Sequence, residues 1–252
     1  MTTLQNRPGV LITGATTGLG RAMAQALSDA GARVAVTGRD RSRAQSVAGE
    51  LGSGATAYEL DVRDEASVRA CVTAVQAELG AIDMLVNNAG IGMRTVNPRF
   101  LSEPQPFWEV APAGFRDVVE TKVTGCFLVA RAVAPLMLDQ GHGRIVNITM
   151  NESTMNRRGF VPYGPAGAGV EALSRVMAAD LADTPVRVNL LLPGGATETG
   201  MIPEDVPAEA RARLLDPAIM GPAIVWLASD AAADVHDERI AATEFDQWLA
   251  RQ

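Results

Sequence analysis

The sequence predicts an α/β fold, a doubly wound parallel β-sheet flanked by helices on both faces. Two observations lead to this class. Short aliphatic runs alternate with longer amphipathic segments, and hydrophobic residues make up 47% of the chain while aromatic residues make up only 4%. Continuous apolar runs are typical of strands buried on both faces, and their alternation with helices is typical of right-handed β-α-β units. We expect one undivided domain over residues 1–252.

The first part of the chain is predicted to hold four strands and three helices. The short apolar runs predict strands at residues 10–12, 34–36, 57–60 and 84–86. Apolar residues at helical spacing predict helices at residues 19–30, 42–51 and 65–79. This order places the four strands parallel in one sheet.

The second part repeats the alternation around two irregular segments, residues 90–112 and 150–162. Helices are predicted at residues 113–140 and 163–183, strands at 144–149 and 186–192, and a mostly helical C-terminal part that includes residues 217–232. A connection as long as 90–112 is uncommon in a compact domain and is more often functional than accidental.

Charge and composition exclude several classes of partner. The net charge of −7 argues against nucleic acid or an anionic membrane as a partner. The N-terminus has no signal-peptide core, and no later apolar run approaches transmembrane length. Cys71 and Cys126 lack metal-ligand spacing and are expected to be buried reduced thiols. We therefore predict a soluble cytoplasmic protein without a metal site.

A glycine-rich turn joins the first predicted strand to the first predicted helix, with the sequence TGATTGLG at residues 13–20. Glycines at such a junction permit a tight turn and a close backbone approach to a pyrophosphate, which then faces the helix N-terminus. The turn predicts a Rossmann-type dinucleotide site. Its candidate cofactor-binding residues are Gly14, Thr16, Thr17, Gly18, Leu19 and Gly20.

Five motifs in order resemble the short-chain dehydrogenase/reductase family: the TGxxxGxG turn, Asp61-Val62, Asn87-Asn88-Ala89-Gly90, Tyr163 and Pro193-Gly194. The resemblance runs from about residue 9 to 232, and the family's usual closing strand is not evident in the last twenty residues. It implies that residues 1–90 bind the dinucleotide and residues 91–252 carry the catalytic and substrate half. It also implies a small-molecule substrate and a homotetramer or homodimer formed through the long helices.

The same resemblance assigns further cofactor contacts. It places Asp61 and Val62 at the adenine and Tyr163 at the reacting centre. It also implies cofactor contacts from the turn after the fourth strand and from the segment near the nicotinamide. These residues are Asn88, Ala89, Gly90, Pro193, Gly194, Ala196 and Thr197.

The end of the second strand predicts the choice of cofactor. An acidic residue there would bond the ribose 2′-hydroxyl and repel a 2′-phosphate. The chain instead has Gly38-Arg39, and the guanidinium of Arg39 can pair with a 2′-phosphate. NADP(H) is therefore preferred over NAD(H), although Asp40 follows directly.

The catalytic residues that the resemblance implies are mostly replaced. The family pairs its tyrosine with a lysine, a serine and an asparagine, and a cation is needed because a free tyrosine has a pKa of about 10. This chain keeps Tyr163, but Gly167 stands at the lysine position, Met150 at the serine position and Lys122 at the asparagine position. We expect Lys122 to lower the pKa of Tyr163 and to help bind the nicotinamide ribose. The candidates to replace the serine are Thr149, Asn151, Ser153 and Thr154, of which Ser153 is preferred.

The substrate and the reaction are left with alternatives. Apolar residues in the 90–112 segment, namely Met93, Phe100, Phe107 and Trp108, either indicate an apolar substrate or anchor the loop. The leading function is an NADP(H)-dependent oxidoreductase acting on a carbonyl or alcohol. The alternatives are a cofactor-binding regulator or scaffold, and a non-redox isomerase, cyclase or eliminating enzyme that uses Tyr163 for proton transfer.

Overall fold

Seven parallel strands form one sheet in the computed structural model, which describes residues 3–252. The strands are β1 (Gly9–Ile12), β2 (Arg33–Gly38), β3 (Ala55–Glu59), β4 (Met84–Asn87), β5 (Gly143–Ile148), β6 (Val186–Leu192) and β7 (Arg239–Ala241). Their order is β3-β2-β1-β4-β5-β6-β7. The order in which the strands are added therefore reverses between β1 and β4, and ligands bind at this point in open α/β sheets. The predicted fold class is confirmed.

Helices cover both faces of this sheet. In chain order they are α1 (Gly18–Asp29), α2 (Arg41–Leu51), α3 (Glu65–Leu79), α4 (Pro112–Val119), α5 (Gly125–Gln140), α6 (Glu152–Met155), α7 (Tyr163–Asp180), α8 (Ala208–Arg211), α9 (Gly221–Leu227) and α10 (Phe245–Leu249). One core packs α1, α2, α9 and α10 against the sheet, and a second core packs α3, α5 and α7 against the other face. Every residue of β1 and β4 is buried, as expected of central strands covered on both sides.

Several boundaries differ from the prediction. The third strand is Ala55–Glu59 rather than 57–60, and α7 ends at Asp180 rather than 183 because the hydroxyl of Thr184 donates to the Leu181 carbonyl and turns the chain. The irregular segment 150–162 contains α6, and the helix predicted at 217–232 is divided into short pieces around α9.

A closing strand that is not evident in the sequence is present in the structure. Strand β7 is only three residues long, and it pairs with β6 from Leu190↔Arg239 to Leu192↔Ala241. Only Ile240 of the strand is fully buried. An edge strand this short has too little apolar pattern to be recognised in the sequence.

The long predicted helix 113–140 is a composite. Residues Glu120–Thr124 form a π turn between α4 and α5, and such turns occur frequently at functional sites. The composite Pro112–Gln140 is long and apolar enough to cross a membrane by length and composition, with a mean hydropathy of 1.4 over its best 18 residues. This differs from the sequence expectation. The observation is weak evidence, because a core helix passes the same test, and the inner face of α5 packs on the sheet through Val129, Val133 and Met137.

Candidate active site

The glycine turn has the shape that a phosphate cradle needs. Gly14 (φ +65°) and Gly18 (φ +53°) adopt the left-handed conformation that favours glycine. A Cβ at Gly20 would collide with the Gly14 carbonyl and the Asn88 amide, so the backbone approaches too closely for any other residue. Thr17 precedes α1 in an extended conformation and its side chain makes no capping bond, which leaves the first N–H groups of the helix open to an anion.

A second turn, Asn87–Gly90, braces the first. The Asn88 side chain donates to the carbonyls of Thr13 and Gly14 at 3.0 Å each. The Thr13 hydroxyl accepts the backbone N–H groups of Asn88 and Ala89 at 2.9 Å each. The Asn88 amide nitrogen therefore stabilises the cradle from behind, and the contact of this residue with the cofactor stays a prediction.

The corner beyond β2 carries the guanidinium of Arg39 and the carboxylate of Asp40. Arg39 is exposed, while Asp40 accepts the Ser42 hydroxyl at 2.6 Å and the Arg43 N–H at 3.1 Å. These hydrogen bonds lower the pKa of Asp40 and commit its carboxylate to the start of α2.

Asp61, which follows β3, is held by Arg63. The Arg63 guanidinium donates to both carboxylate oxygens, at 3.0 and 2.7 Å, and these bonds lower the pKa of Asp61. The charge of Arg39 acts on the same carboxylate. Both arginines therefore act on the Asp61 carboxylate, and Val62, the next residue, is buried.

Tyr163 begins α7 and lies beneath a loop that follows β6, residues 196–216, which we call the covering loop. The Tyr163 hydroxyl points to the Met201 sulfur at 3.7 Å. A Cβ at Gly92 would lie 2.9 Å from Met201 Cγ, so Met201 is seated between Tyr163 and the segment after β4. Burial raises the pKa of Tyr163 above its ordinary value.

Lys122 lies in the π turn and faces Tyr163. Its side chain is buried, 9% exposed, and Nζ lies 5.1 Å from the centroid of the Tyr163 ring, within cation–π distance. A Cβ at Gly90 would lie 3.3 Å from Nζ, so the amine also touches the turn predicted to bind cofactor. Burial lowers the pKa of Lys122 to about 8. The ammonium lies over the ring face, and burial raises the pKa of Tyr163, which is the opposite of the lowering that the sequence predicted.

Positions 150 and 167 fit one another. Met150 is buried, and a Cβ at Gly167 would lie 2.6 Å from its terminal methyl carbon and 2.9 Å from its sulfur. The Met150 side chain thus covers the place from which a lysine at 167 would extend. The methionine side chain also fills part of the space beside Gly167.

The polar residues after β5 are dispersed. Ser153 is exposed on α6, Asn151 donates to the Gly194 carbonyl at 2.9 Å, and the Thr149 hydroxyl donates to Glu171 at 2.9 Å. The hydroxyl and amide groups of Thr149 and Asn151 are therefore engaged in the scaffold. The assignment of Ser153 as the serine replacement stays a prediction.

The loop leaving β6 contacts both the cradle and the C-terminal part. Gly194 has φ +92°, and a Cβ there would collide with Thr243. Pro193 and Thr197 are buried while Ala196 is exposed, so the predicted nicotinamide contacts differ in accessibility. Further along, a Cβ at Gly18 would lie 3.2 Å from Thr199, which places the covering loop against the glycine turn.

The 90–112 segment fastens the covering loop over Tyr163. Arg94 donates to the carbonyls of Gly200 at 2.9 Å and Ile202 at 3.3 Å, and pairs with Glu204 at 3.0 Å. These three contacts flank Met201 on both sides along the chain. Arg94 therefore holds Met201 in its position over the phenol.

The apolar residues of this segment have two different environments. Met93 and Phe100 are buried with Phe160, and the two rings form an edge-to-face pair at 5.3 Å. Phe107 and Trp108 are 68% and 72% exposed and pack mainly on one another. Met93 and Phe100 thus anchor the loop, while Phe107 and Trp108 are on the surface.

These features identify the class of protein. A phosphate cradle at the first strand–helix junction, at the point where the strand order reverses, is that of a Rossmann-type dinucleotide-binding protein. The chain belongs to the short-chain dehydrogenase/reductase family: the profile of the family described as short chain dehydrogenase matches residues 9–210.

Named relatives and solved structures agree with this membership. The chain is 33% identical to the 3-oxoacyl-(acyl-carrier-protein) reductase of Escherichia coli, covering 91% of this chain and 93% of the relative. It is 35% identical to the D-threitol dehydrogenase of Mycolicibacterium smegmatis, covering 90% and 87%. The structure resembles a 3-ketoacyl-(acyl-carrier-protein) reductase from Brucella melitensis complexed with NADH, with a TM-score of 0.81, 31% identity and coverage of 92% and 95%. These relatives place the chain among the short-chain oxidoreductases and support a nicotinamide cofactor.

Sequence reasoning missed three contributors to the site: Met201, Arg94 as the residue that fastens it, and Asn87, whose side chain is buried beside Lys122. For Lys122 itself a stronger signal was available. It is the only lysine among 252 residues, against 21 arginines. Every other basic residue of Lys or Arg type is an arginine, so the presence of a lysine at position 122 alone indicates a specific role there.

Proposed function

We propose that the protein is an NADP(H)-dependent oxidoreductase acting on a carbonyl or alcohol of an apolar small molecule, with Tyr163 as acid/base and Lys122 as its supporting cation. One observation carries the proposal: the single lysine of the chain is buried with its amine 5.1 Å from the Tyr163 ring. A cation at this distance favours the phenolate over the phenol and so counteracts the effect of burial.

The chain's own residues would share the chemistry as follows. Gly14, Gly18 and Gly20 hold the pyrophosphate against α1, and the bound nicotinamide supplies or accepts the hydride. Tyr163 donates the proton to the carbonyl oxygen or takes it from the alcohol. With a pKa of about 8, Lys122 is mostly an ammonium at pH 7, and its charge opposes the rise in the Tyr163 pKa that burial causes.

The preference for NADP(H) rests on the corner beyond β2. Arg39 is exposed there, while the Asp40 carboxylate is occupied by α2 and Arg63 is paired with Asp61. The Arg39 guanidinium favours a 2′-phosphate through charge-assisted hydrogen bonds. For the substrate, Met201 presents its sulfur to the Tyr163 hydroxyl and Met150 covers Gly167 one helical turn further on, which favours an apolar molecule.

We further propose that the chain assembles as a homodimer or homotetramer through its long helices. Phe115, Phe127 and Leu138 of α4 and α5, and Val176 of α7, are more than 40% exposed although apolar. Exposed apolar patches of this kind mark association surfaces. The cytoplasmic location and the lack of a nucleic-acid or membrane partner stay predictions.

The deciding experiment follows NADPH absorbance with a panel of ketones, aldehydes and imines. Tyr163→Phe should abolish turnover and leave NADPH binding intact, and the matched control is Tyr58→Phe, since these two are the only tyrosines. Lys122→Met should lower turnover by two orders of magnitude or more, the usual contribution of a general acid–base group. Full activity of either site variant would refute the assigned roles.

A second candidate, a cofactor-binding regulator, is favoured by the burial of Met150 over Gly167, which replaces two polar positions by an apolar contact. Tight NADPH binding with no turnover of any substrate would support this candidate instead. Recovered reductase activity in a Met150→Ser, Gly167→Lys variant would then identify a degenerate site.

A further inference from the structure

A small closed cavity adjoins Lys122 beneath the sheet's carboxyl edge. Its volume is about 10 Å³, which is about the room that one water molecule requires. The cavity walls come from β1, β4, β5, α5 and α7, the π turn and the turns after β3 and β4. They are formed by Thr13, Val62, Asn87, Ala89, Lys122, Gly125, Cys126, Ile148 and Val170.

A buried chain of hydrogen bonds fixes which atom of Asn87 is left over. The Ser174 hydroxyl donates to the Val170 carbonyl at 2.7 Å, so it accepts the Asn147 amide at 2.8 Å. The Asn147 oxygen then accepts the Asn87 amide at 2.9 Å. Since every donor in this chain is assigned, the Asn87 Oδ1 atom is an acceptor, and it is buried without a protein partner among the described residues.

Lys122 has the complementary need. It is buried, and within residues 3–252 its amine takes part in none of the hydrogen bonds or ion pairs described. Burial of most of this side chain makes an acceptor for its ammonium favourable. The titratable groups facing it are the Cys126 thiol, four residues along the same helix, and the Tyr163 phenol on α7. The other cavity walls carry no ionisable side chain.

We propose that Asn87 is a positioning residue for Lys122, linked to it through one water molecule held in this cavity. The water accepts a hydrogen bond from the lysine amine and donates one to Asn87 Oδ1, so that both unpartnered groups are satisfied. The linkage keeps the amine against the Tyr163 ring. The importance of this placement for turnover rests on the proposed function, but the linkage itself does not.

The single lysine allows a direct test. In protein grown with lysine labelled at ¹³Cε and ¹⁵Nζ, one side-chain resonance reports Lys122, and its titration gives the lysine pKa in the intact, unmodified chain. Three variants are compared: Asn87→Asp, Asn87→Leu and Ser174→Ala. The last is the matched control, because it interrupts the same hydrogen-bond chain at its far end and leaves the cavity walls unchanged.

Asn87→Asp places a carboxylate at the acceptor position, so the lysine pKa should rise by about one pH unit or more. Asn87→Leu removes the acceptor, and the lysine pKa should fall further below about 8. Ser174→Ala should leave the titration unchanged. If turnover is measured, the alkaline limb of its pH profile should move in the same directions, whereas a merely structural role would lower kcat equally at all pH values.

An unmoved lysine titration in Asn87→Asp would overturn the proposal. If Asn87→Leu does not fold, comparison of the near-isosteric Asn87→Asp with the Ser174→Ala control still tests the linkage. Equal shifts in Asn87→Asp and Ser174→Ala would also overturn it, since the effect would then come from the network as a whole. A lysine pKa that moves in a protein without reductase activity would support the linkage and refute the proposed function. An active enzyme whose lysine pKa does not move in Asn87→Asp would support the proposed function and refute the linkage.

Discussion

Replacing Lys122 by methionine should stabilise the protein while abolishing its activity. Methionine matches the lysine stem in length and removes only the buried charge. The pKa of Lys122 falls from 10.5 to about 8, and each pH unit corresponds to about 1.4 kcal/mol. The buried ammonium therefore costs about 3 kcal/mol of stability at pH 7, from which about 1 kcal/mol is subtracted for the lost cation–π contact with Tyr163. The net gain is about 2 kcal/mol.

The pH dependence of this gain identifies its cause. The folded-state pKa lies below the unfolded-state value, so between about pH 8 and 10.5 the unfolded chain binds more protons. The stability of the wild type therefore rises with pH in this window relative to the methionine variant. Below about pH 8 the full penalty is present, and above 10.5 it is gone.

Urea unfolding of both proteins at pH 7, 8.5 and 10 measures the difference directly, and thermal unfolding at pH 7 should show a rise in Tm of about 4–8 °C. In parallel, wild-type turnover should decline as pH rises through about 8, because the supporting cation is lost. A variant that is no more stable than the wild type at pH 7, or a difference that is constant from pH 7 to 10, would refute the view that Lys122 is a buried charge.

Three further outcomes follow from the site. Gly167→Lys alone should destabilise the protein by about 1–3 kcal/mol, because the new side chain meets Met150. Adding Met150→Ser should restore most of that loss in a double-mutant unfolding cycle. Additive effects of the two substitutions on the free energy of unfolding would contradict the contact. Arg94→Ala should release the covering loop, measured as faster amide hydrogen exchange at residues 198–205, and unchanged exchange would show that the loop is held by other means. Arg39→Glu should weaken NADPH binding by tenfold or more while sparing NADH, with Arg43→Glu on the adjoining helix as control; equal losses for both cofactors would count against a 2′-phosphate contact.

The sequence alone determined the fold class, most elements and the cofactor cradle. Helix α3 and strand β6 were predicted with their true bounds, because apolar periodicity and flanking breakers are local properties of the chain. Glycines at a strand–helix junction are equally local, since the turn they permit is made of neighbouring residues. Strand β7 escaped, because three residues carry little pattern and the strand exists only by pairing with β6.

The catalytic centre was decided by tertiary structure. The replacements at 122, 150 and 167 were visible in the sequence, but only the packing shows that Met150 lies on Gly167 and that the Lys122 amine faces the Tyr163 ring. Met201 and Asn87 reach the same site from residues about forty and seventy-five positions away from Tyr163, through a loop fastened by Arg94 and a buried cavity. Such contacts join segments whose separation along the chain bears no relation to their distance in space, so no periodicity or motif encodes them. Charge burial, and with it the pKa of Lys122, exists only after those segments have packed together.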